Sequence, residues 1–335
     1  MASTKLIVVF GATGNQGGSV INTFLSDAGW RVRGITRNAQ SAKAQALAAK
    51  GVEVVEANLD STETLKTAFL GAHAIFAVTD FWGLYGAAAQ GAATLTPGEA
   101  LNEHVSKQET QQLKNVINAA AEVATLDRLV LSSLSNATKW SKGKYTHVFH
   151  FDAKANAVEY ARDTYPDLWA KTSVFQAGFF LGNFTATEGP SLLPVKNAEN
   201  IYQFIGNLEA DVKLPFIAAE EDSGPFVQAL INEPAGKNII AYREWLTMQE
   251  FAAIFSDVTG LKSEIVTLPK GQSNVPLPPD LALEFADNWA YWNEFGYEGR
   301  DDPTLIHPKN LSLPLELSSV ADYLQKQDWD KLLSA

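Results

Sequence analysis

An unbroken apolar run, residues 6–10, leads straight into three glycines spaced G-x-x-G-x-x-G, and this junction constrains the fold more than any other feature of the chain. A run so rich in valine and isoleucine suits a parallel strand covered by helices on both faces. The turn after it must accept φ > 0, let a ligand approach bare backbone, and let the next helix pack close to the strand. Glycine meets all three demands, at Gly11, Gly14 and Gly17. A helix starting near residue 17 then points its free N–H groups and positive dipole end over the turn, which favours a pyrophosphate. Gly11, Thr13, Gly14, Asn15, Gln16 and Gly17 are the candidate phosphate-binding residues.

A glycine triplet alone can be an ordinary strand-to-helix turn. Here a second strand over residues 31–36 stands at the spacing of a dinucleotide-binding unit, which makes cofactor binding the better reading. An NAD site would place an Asp or Glu at the end of that strand, against the ribose 2′-hydroxyl. This chain has Thr36 and Arg37 there. An arginine fork pairs with a dianionic 2′-phosphate, so the site is expected to prefer NADP(H); the alternative for Arg37 is a solvated surface charge.

Charge narrows the partners. The 26 basic and 38 acidic side chains leave a formal net charge of −12, a surface that repels phosphate backbones and argues against direct nucleic-acid binding. With 46% hydrophobic and 19% charged residues, the 335-residue chain is expected to form one large α/β domain or a domain plus a lobe. Cysteine is absent, which excludes disulfides, thiol catalysis and cysteine-ligated metals. The first strand starts within a few residues of Met1, which argues against a signal peptide, and no apolar run is long enough to span a membrane. A cytoplasmic location is the expectation, with the nucleus as the alternative.

The remaining pattern alternates strand and helix. Helices are expected over residues 18–28, 39–50 and 62–70, and strands over 52–57 and 74–78. Asp60 stands at the end of the third strand, where an Asp commonly meets the adenine; capping of the next helix by Asp60 or Ser61 is the other reading. The fourth strand delivers Thr79, Phe81 and Trp82 to the carboxyl edge, where ligands bind in open α/β sheets. Residues 81–103, rich in Gly and Ala, read as a mobile flap or a surface insertion. A helix over 103–124 and a fifth strand over 128–133 complete the case for a doubly wound parallel sheet, a Rossmann-type domain. A helix over 153–163 and a sixth strand over 172–177 would close a domain of residues 1–180, with 181–335 forming a smaller α+β lobe interleaved with it. In that lobe, Pro225 is expected in the first turn of a helix from residue 222, and Thr247 with Glu250 in a capping box. Phe285, Trp289 and Trp292 form a helical stripe that reads as core or as the wall of an aromatic pocket. No His/Asp/Glu spacing suggests a metal.

Taken together, Gly11-Ala-Thr-Gly-Asn-Gln-Gly-Gly-Ser-Val20, Thr36-Arg37, Thr79-Asp-Phe-Trp82 and His150-Phe-Asp-Ala-Lys154 resemble the NmrA-like branch of the atypical short-chain dehydrogenase/reductases. The resemblance implies an extended Rossmann domain, a C-terminal lobe over the nicotinamide end, and NADP binding. Some relatives reduce aromatic or polyketide-like metabolites of secondary metabolism, and others are redox-sensing regulators. The superfamily's usual dyad is Tyr-x-x-x-Lys. Lys154 fits the lysine position, but His150 stands where tyrosine is usual, on the same face of a helix. Histidine is a chemically reasonable proton donor near neutral pH, and a packing or capping role is the alternative. Tyr145 is a backup donor from the preceding loop. Ser133 takes the place of the substrate-orienting serine, or caps a strand end. Gln176, Phe179, Phe180 and Asn183 resemble the segment that lies over the nicotinamide. The expected function is hydride transfer from NADPH to a carbonyl or enone of an aromatic or polyketide-like small molecule. The alternative is a non-catalytic NADP(H) sensor that acts through a regulatory protein partner.

Overall fold

The computed structural model describes residues 4–186 and 192–334, so residues 1–3 of the first expected domain and 187–191 and 335 of the lobe lie outside the described residues. Strands β1 (Lys5–Val9), β2 (Trp30–Thr36), β3 (Glu53–Glu56), β4 (Ala74–Ala77), β5 (Arg128–Ser133) and β6 (Thr172–Ala177) alternate with eight helices. These are α1 (Asn15–Leu25), α2 (Ala42–Ala49), α3 (Thr62–Ala68), α4 (Phe81–Ala87), α5 (Leu101–Ala121), α6 (Ala137–Trp140), α7 (Phe149–Thr164) and α8 (Pro166–Trp169). Later in the chain come β7 (Phe179–Phe180), β8 (Val195–Lys196), β9 (Tyr202–Gly206), β10 (Lys213–Ile217), α9 (Ala219–Asn232), β11 (Asn238–Ala241) and β12 (Glu244–Thr247). The last elements are α10 (Met248–Thr259), β13 (Ser263–Thr267), α11 (Pro279–Phe295), β14 (Leu305–Ile306), α12 (Val320–Gln325) and α13 (Trp329–Leu332).

The main sheet has eight strands in the order β14-β11-β6-β5-β4-β1-β2-β3, all parallel. Its buried strands need apolar residues on both faces, and β1 supplies them by alternation. Leu6 and Val8 pack with Leu113, Val116 and Ile117 of α5 on one face. Ile7 and Val9 pack on the other with Val20 and Phe24 of α1 and Phe226 and Leu230 of α9. The strand order reverses between β1 and β4, so the glycine turn after β1 and the Thr79-Asp80 segment after β4 flank one crevice at the carboxyl edge. Two three-stranded sheets, β12-β10-β7 and β13-β9-β8, build the lobe around an aromatic core that includes Phe184, Phe204, Phe216, Phe251 and Phe255.

Three local expectations are corrected. Residues 81–103 are largely helical: α4 is capped by Asp80, whose Oδ1 accepts the Gly83 N–H at 3.0 Å, a π-helical turn spans Ala88–Ala92, and α5 starts at Leu101. Burial of Phe81 and Ala88 against Val105 overrides the weak helix propensity of a glycine-rich stretch. Helix α7 starts at Phe149, not at residue 153, and so carries both His150 and Lys154. Helix α9 starts at Ala219, which puts Pro225 in its interior. Proline removes the N–H that would reach the Glu221 carbonyl. Ser19 Oγ of α1 donates to that carbonyl instead at 3.1 Å and accepts the Gly224 N–H at 2.9 Å. The capping box of Thr247 and Glu250 forms as expected at the start of α10.

This crossing brings α9 onto α1 with no room for a side chain. A Cβ at Gly224 would lie 2.1 Å from Thr23 Oγ1 and 2.5 Å from the Ser19 carbonyl oxygen. Gly224→Ala should therefore destabilise the chain by about 1–3 kcal/mol, the usual cost of overpacking. Urea denaturation measures it, and a loss below about 0.5 kcal/mol would show that the two helices separate freely.

Candidate functional site

The glycine turn is a cradle of bare backbone. Gly11 has φ +60°, and its carbonyl accepts the Gly14 N–H at 2.8 Å. A Cβ at Gly17 would lie 2.2 Å from the Gly11 oxygen and 2.5 Å from the Phe10 oxygen, so only glycine lets α1 start this close to β1. Gly14 is the N-cap of α1 and supplies no side-chain acceptor, which leaves the donors of the first turn to a ligand. Asn15 is exposed at the first position of α1 and Thr13 is half-buried, while Gln16 Oε1 accepts the Ser132 hydroxyl at 2.8 Å and ties the turn to β5. Beyond β2, Arg37 is exposed and enters no ion pair among the described residues, whereas Arg33 on the same strand pairs with Glu53 at 3.0 Å. Asp60 accepts from Gln112 Nε2 at 2.9 Å, which ties it to α5; the cap position of α3 belongs to Ser61.

After β4, Thr79 is buried with its Oγ1 unpartnered, and Phe81 is buried. The cradle that a Cβ would fill, the free donors of α1, the unpaired Arg37 and the unpartnered Thr79 hydroxyl all fit a phosphorylated dinucleotide laid along this edge.

Helix α7 carries His150 and Lys154 one turn apart. His150 Nδ1 lies 2.6 Å from Glu284 Oε1, and the His150 backbone N–H donates to the same oxygen at 3.0 Å. Asn102 Nδ2 donates to Glu284 Oε2 at 2.8 Å. The ring is walled by Trp82 at 5.1 Å, Phe151 at 4.9 Å and Phe81 at 5.9 Å between centroids. One turn on, Lys154 Nζ donates to Glu109 Oε1 at 2.5 Å and to the His150 carbonyl at 3.4 Å. Glu109 is fully buried and its other oxygen, Oε2, has no partner.

The other expected site residues are placed as follows. Ser133 Oγ donates to the Leu134 carbonyl at 3.2 Å, and Ser133 sits beside Gln176 in the register of β5 and β6. Gln176 Nε2 donates to Asn238 Oδ1, and its own Oε1 is buried without a partner. Phe179 belongs to the aromatic core, in edge contact with Phe184, Phe216 and Trp292. Asn183 is half-buried in the 3-10 turn Leu181–Phe184. Tyr145 points elsewhere: its hydroxyl donates to Glu294 of α11 at 2.9 Å, which removes it as a partner of Lys154.

Helix α11 lies across the starts of α4 and α7. Tyr85 donates to Asp280 at 3.1 Å, and burial together with the Asp280 charge pushes its phenol up to about 12. Phe285 stacks on Trp82, centroids 5.7 Å apart and planes 9° off parallel. Behind this pair opens a cavity of about 1110 Å³, lined among others by Tyr145, Ile205, Leu268, Phe285, Trp289 and Asn293. The aromatic stripe therefore divides: Phe285 and Trp289 face the cavity and Trp292 packs in the core.

Sequence reasoning missed Glu109, Asn102 and Glu284. Glu109 carries a readable signal, because it interrupts the apolar face of α5 four residues after Val105 and four before Leu113. Glu284 directly precedes the aromatic stripe but has no local signal.

The sequence profile of the NmrA-like family matches residues 3–324. The chain belongs to the NmrA-like family. Among its relatives in that family, the NmrA-like family domain-containing oxidoreductase lnbB of Aspergillus flavus is 28% identical, over 98% of this chain and 98% of its own. The corresponding oxidoreductase ptmS of Penicillium ochrochloron is 26% identical, over 96% and 93%. The fold is shared with NmrA, a negative transcriptional regulator, solved in complex with NADP (TM-score 0.74, 19% identity, 99% and 98% covered). It is shared too with the Citrobacter sp. triphenylmethane reductase complexed with NADP(H) (TM-score 0.65, 18% identity, 96% and 99% covered).

In this NmrA-like chain, Lys154 is the cation bonded to a fully buried carboxylate, that of Glu109. Lys154→Met should cost about 3–5 kcal/mol by leaving Glu109 buried and unpaired, and adding Glu109→Gln should recover most of it. Urea denaturation of the two variants decides; a single variant within about 1 kcal/mol of wild type would show that Glu109 is solvated or protonated without its lysine.

Proposed function

We propose that the chain is an NADP(H)-dependent oxidoreductase that transfers hydride to a carbonyl or enone of an aromatic or polyketide-like small molecule. Curated relatives of nearly full length bear the name oxidoreductase, which supports the general class. The observation that carries the chemistry is the pairing, on one face of α7, of Lys154 with a histidine whose Nδ1 is held by a buried carboxylate. That leaves Nε2 of His150 as the ring's remaining proton port.

On this reading each group has a role that the geometry supports. The N–H groups of the glycine turn and of α1 take the pyrophosphate, and Arg37 forks onto the 2′-phosphate. The unpartnered Thr79 hydroxyl, the free oxygen of Glu109 and the Lys154 ammonium offer both donors and acceptors to ribose hydroxyls. Gln176 has a spare acceptor for the carboxamide end, next to Ser133. The bound cofactor supplies the hydride. As it reaches the acceptor carbon, His150 gives the carbonyl oxygen its proton, so aldehyde, ketone or enone leaves as the reduced product. Phe81 and Trp82 keep water off the histidine. The cavity walled by Phe285 and Trp289 lies beyond Trp82 from His150, is lined by neither His150 nor Lys154, and has room for the bulk of a flat, multi-ring molecule.

Two measurements test this. Arg37→Glu should lower the NADPH preference over NADH by roughly 1–3 kcal/mol in titrations of both cofactors, and an unchanged ratio would take Arg37 out of the site. His150→Phe should cut NADPH-dependent turnover of quinones, enones or aromatic ketones by about 10²–10⁴-fold while leaving NADPH affinity within about twofold. Full activity of that variant would remove histidine as the donor. A wild-type chain that binds NADPH but is inactive across the panel would favour the sensor with a regulatory protein partner.

A further inference from the structure

The start of α7 is held by α11 through a motif used twice. His147 and His150 stand three residues apart, and so do Glu284 and Asp287. In each pair one carboxylate oxygen takes both the backbone N–H and the ring Nδ1 of one histidine: Asp287 Oδ2 at 3.2 and 2.8 Å from His147, Glu284 Oε1 at 3.0 and 2.6 Å from His150. Val148, the N-cap of α7, gives no side-chain cap, so Glu284 takes one of the open donors of α7, the His150 N–H, while Asp287 takes the His147 N–H just before the cap; both acids stand at the positive end of the helix. The pairs differ in burial. The His147 side chain is 40% exposed and that of Asp287 19%, whereas the Glu284 side chain is fully buried and that of His150 is 11% exposed.

We propose that Glu284, itself held by Asn102, is the positioning residue that dedicates His150 to proton transfer at Nε2. This rests on the reading of His150 as the proton donor. A carboxylate only accepts, so its contact requires a hydrogen on Nδ1. The neutral ring then carries its lone pair at Nε2, and the charged ring donates only from Nε2 to anything outside the clamp. Rotating the ring would break the contact and strand a buried carboxylate, because Glu284 has no lysine or arginine partner among the described residues. Asn102 takes the second oxygen and fixes the plane of the carboxylate. The outer pair of His147 and Asp287 docks the helices and provides an internal control.

The experiment compares Glu284→Ala, Glu284→Gln and Asp287→Asn in the full chain, with turnover and with NMR of ¹⁵N-histidine-labelled protein, whose ring shifts distinguish the two neutral tautomers. Wild type should show His150 with hydrogen on Nδ1. Glu284→Ala should mix the tautomers and lower kcat by roughly 10–10²-fold with KM for NADPH unchanged. Glu284→Gln keeps an acceptor oxygen, so it should keep the tautomer and recover much of kcat; it also remains informative if the alanine variant fails to fold. Asp287→Asn should leave His150 spectra and kcat near wild type. An unchanged tautomer in Glu284→Ala, or equal losses of kcat in Glu284→Ala and Asp287→Asn, overturns the proposal. Full activity of His150→Phe would overturn the parent reading instead, whereas an impaired His150→Phe beside a fully active Glu284→Ala would overturn this inference alone.

Discussion

Helix α1 is seated by two contacts that tolerate no side chain. At its start, Gly17 sits on the Gly11 carbonyl, where a Cβ would be 2.2 Å away; along its flank, Gly224 of α9 sits on Ser19 and Thr23. The first contact sets the turn that bares the backbone, and the second fixes the helix sideways against α9, which packs on the same face of the sheet. Ser19 links them chemically, because it serves both the Gly224 N–H and the carbonyl that Pro225 leaves open. A phosphate-binding turn is only as well defined as the helix behind it. Here that helix is fixed by a segment two hundred residues later in the chain.

Helix α7 is the second axis, and two buried acids hold it. Lys154 meets Glu109 of α5, and His150 meets Glu284 of α11; both acids are fully buried. Such pairs add little net stability, since desolvation offsets much of their attraction, but breaking one side leaves an expensive isolated charge. Their physical effect is specificity: two side chains one turn apart are each restricted to one geometry at the carboxyl edge of the sheet. The aromatic layer of Phe81, Trp82 and Phe285 dries one side of this edge and forms part of the wall of the cavity beyond it.

The sheet was legible because its signals are local. Unbroken apolar runs, glycine at the turn and the alternation of strand with helix are visible without any partner. What escaped depends on contacts far along the chain. Helix α4 lies in a stretch whose propensity is poor and whose burial comes from α5. Strands β7, β8 and β14 are two residues long, too short for any pattern. Pro225 read as a helix start because proline usually marks one, and only Ser19 makes its interior position tolerable. In the site, the motif positions of His150 and Lys154 were readable, but their acids lie 134 and 45 residues away. No spacing rule reaches that far. Tyr145 looked available from the loop before α7, and a glutamate of α11 holds it instead.

The central claim is that a phosphorylated dinucleotide lies along this edge with its reactive ring beside α7. The most direct measurement is a crystal structure of the chain grown with NADP⁺. The account predicts the 2′-phosphate within hydrogen-bond reach of Arg37, the pyrophosphate on the backbone of residues 14–17, and the nicotinamide between Thr79 and the Lys154–His150 face of α7. A 2′-phosphate turned away from Arg37, or a nicotinamide ordered outside that face, would contradict it.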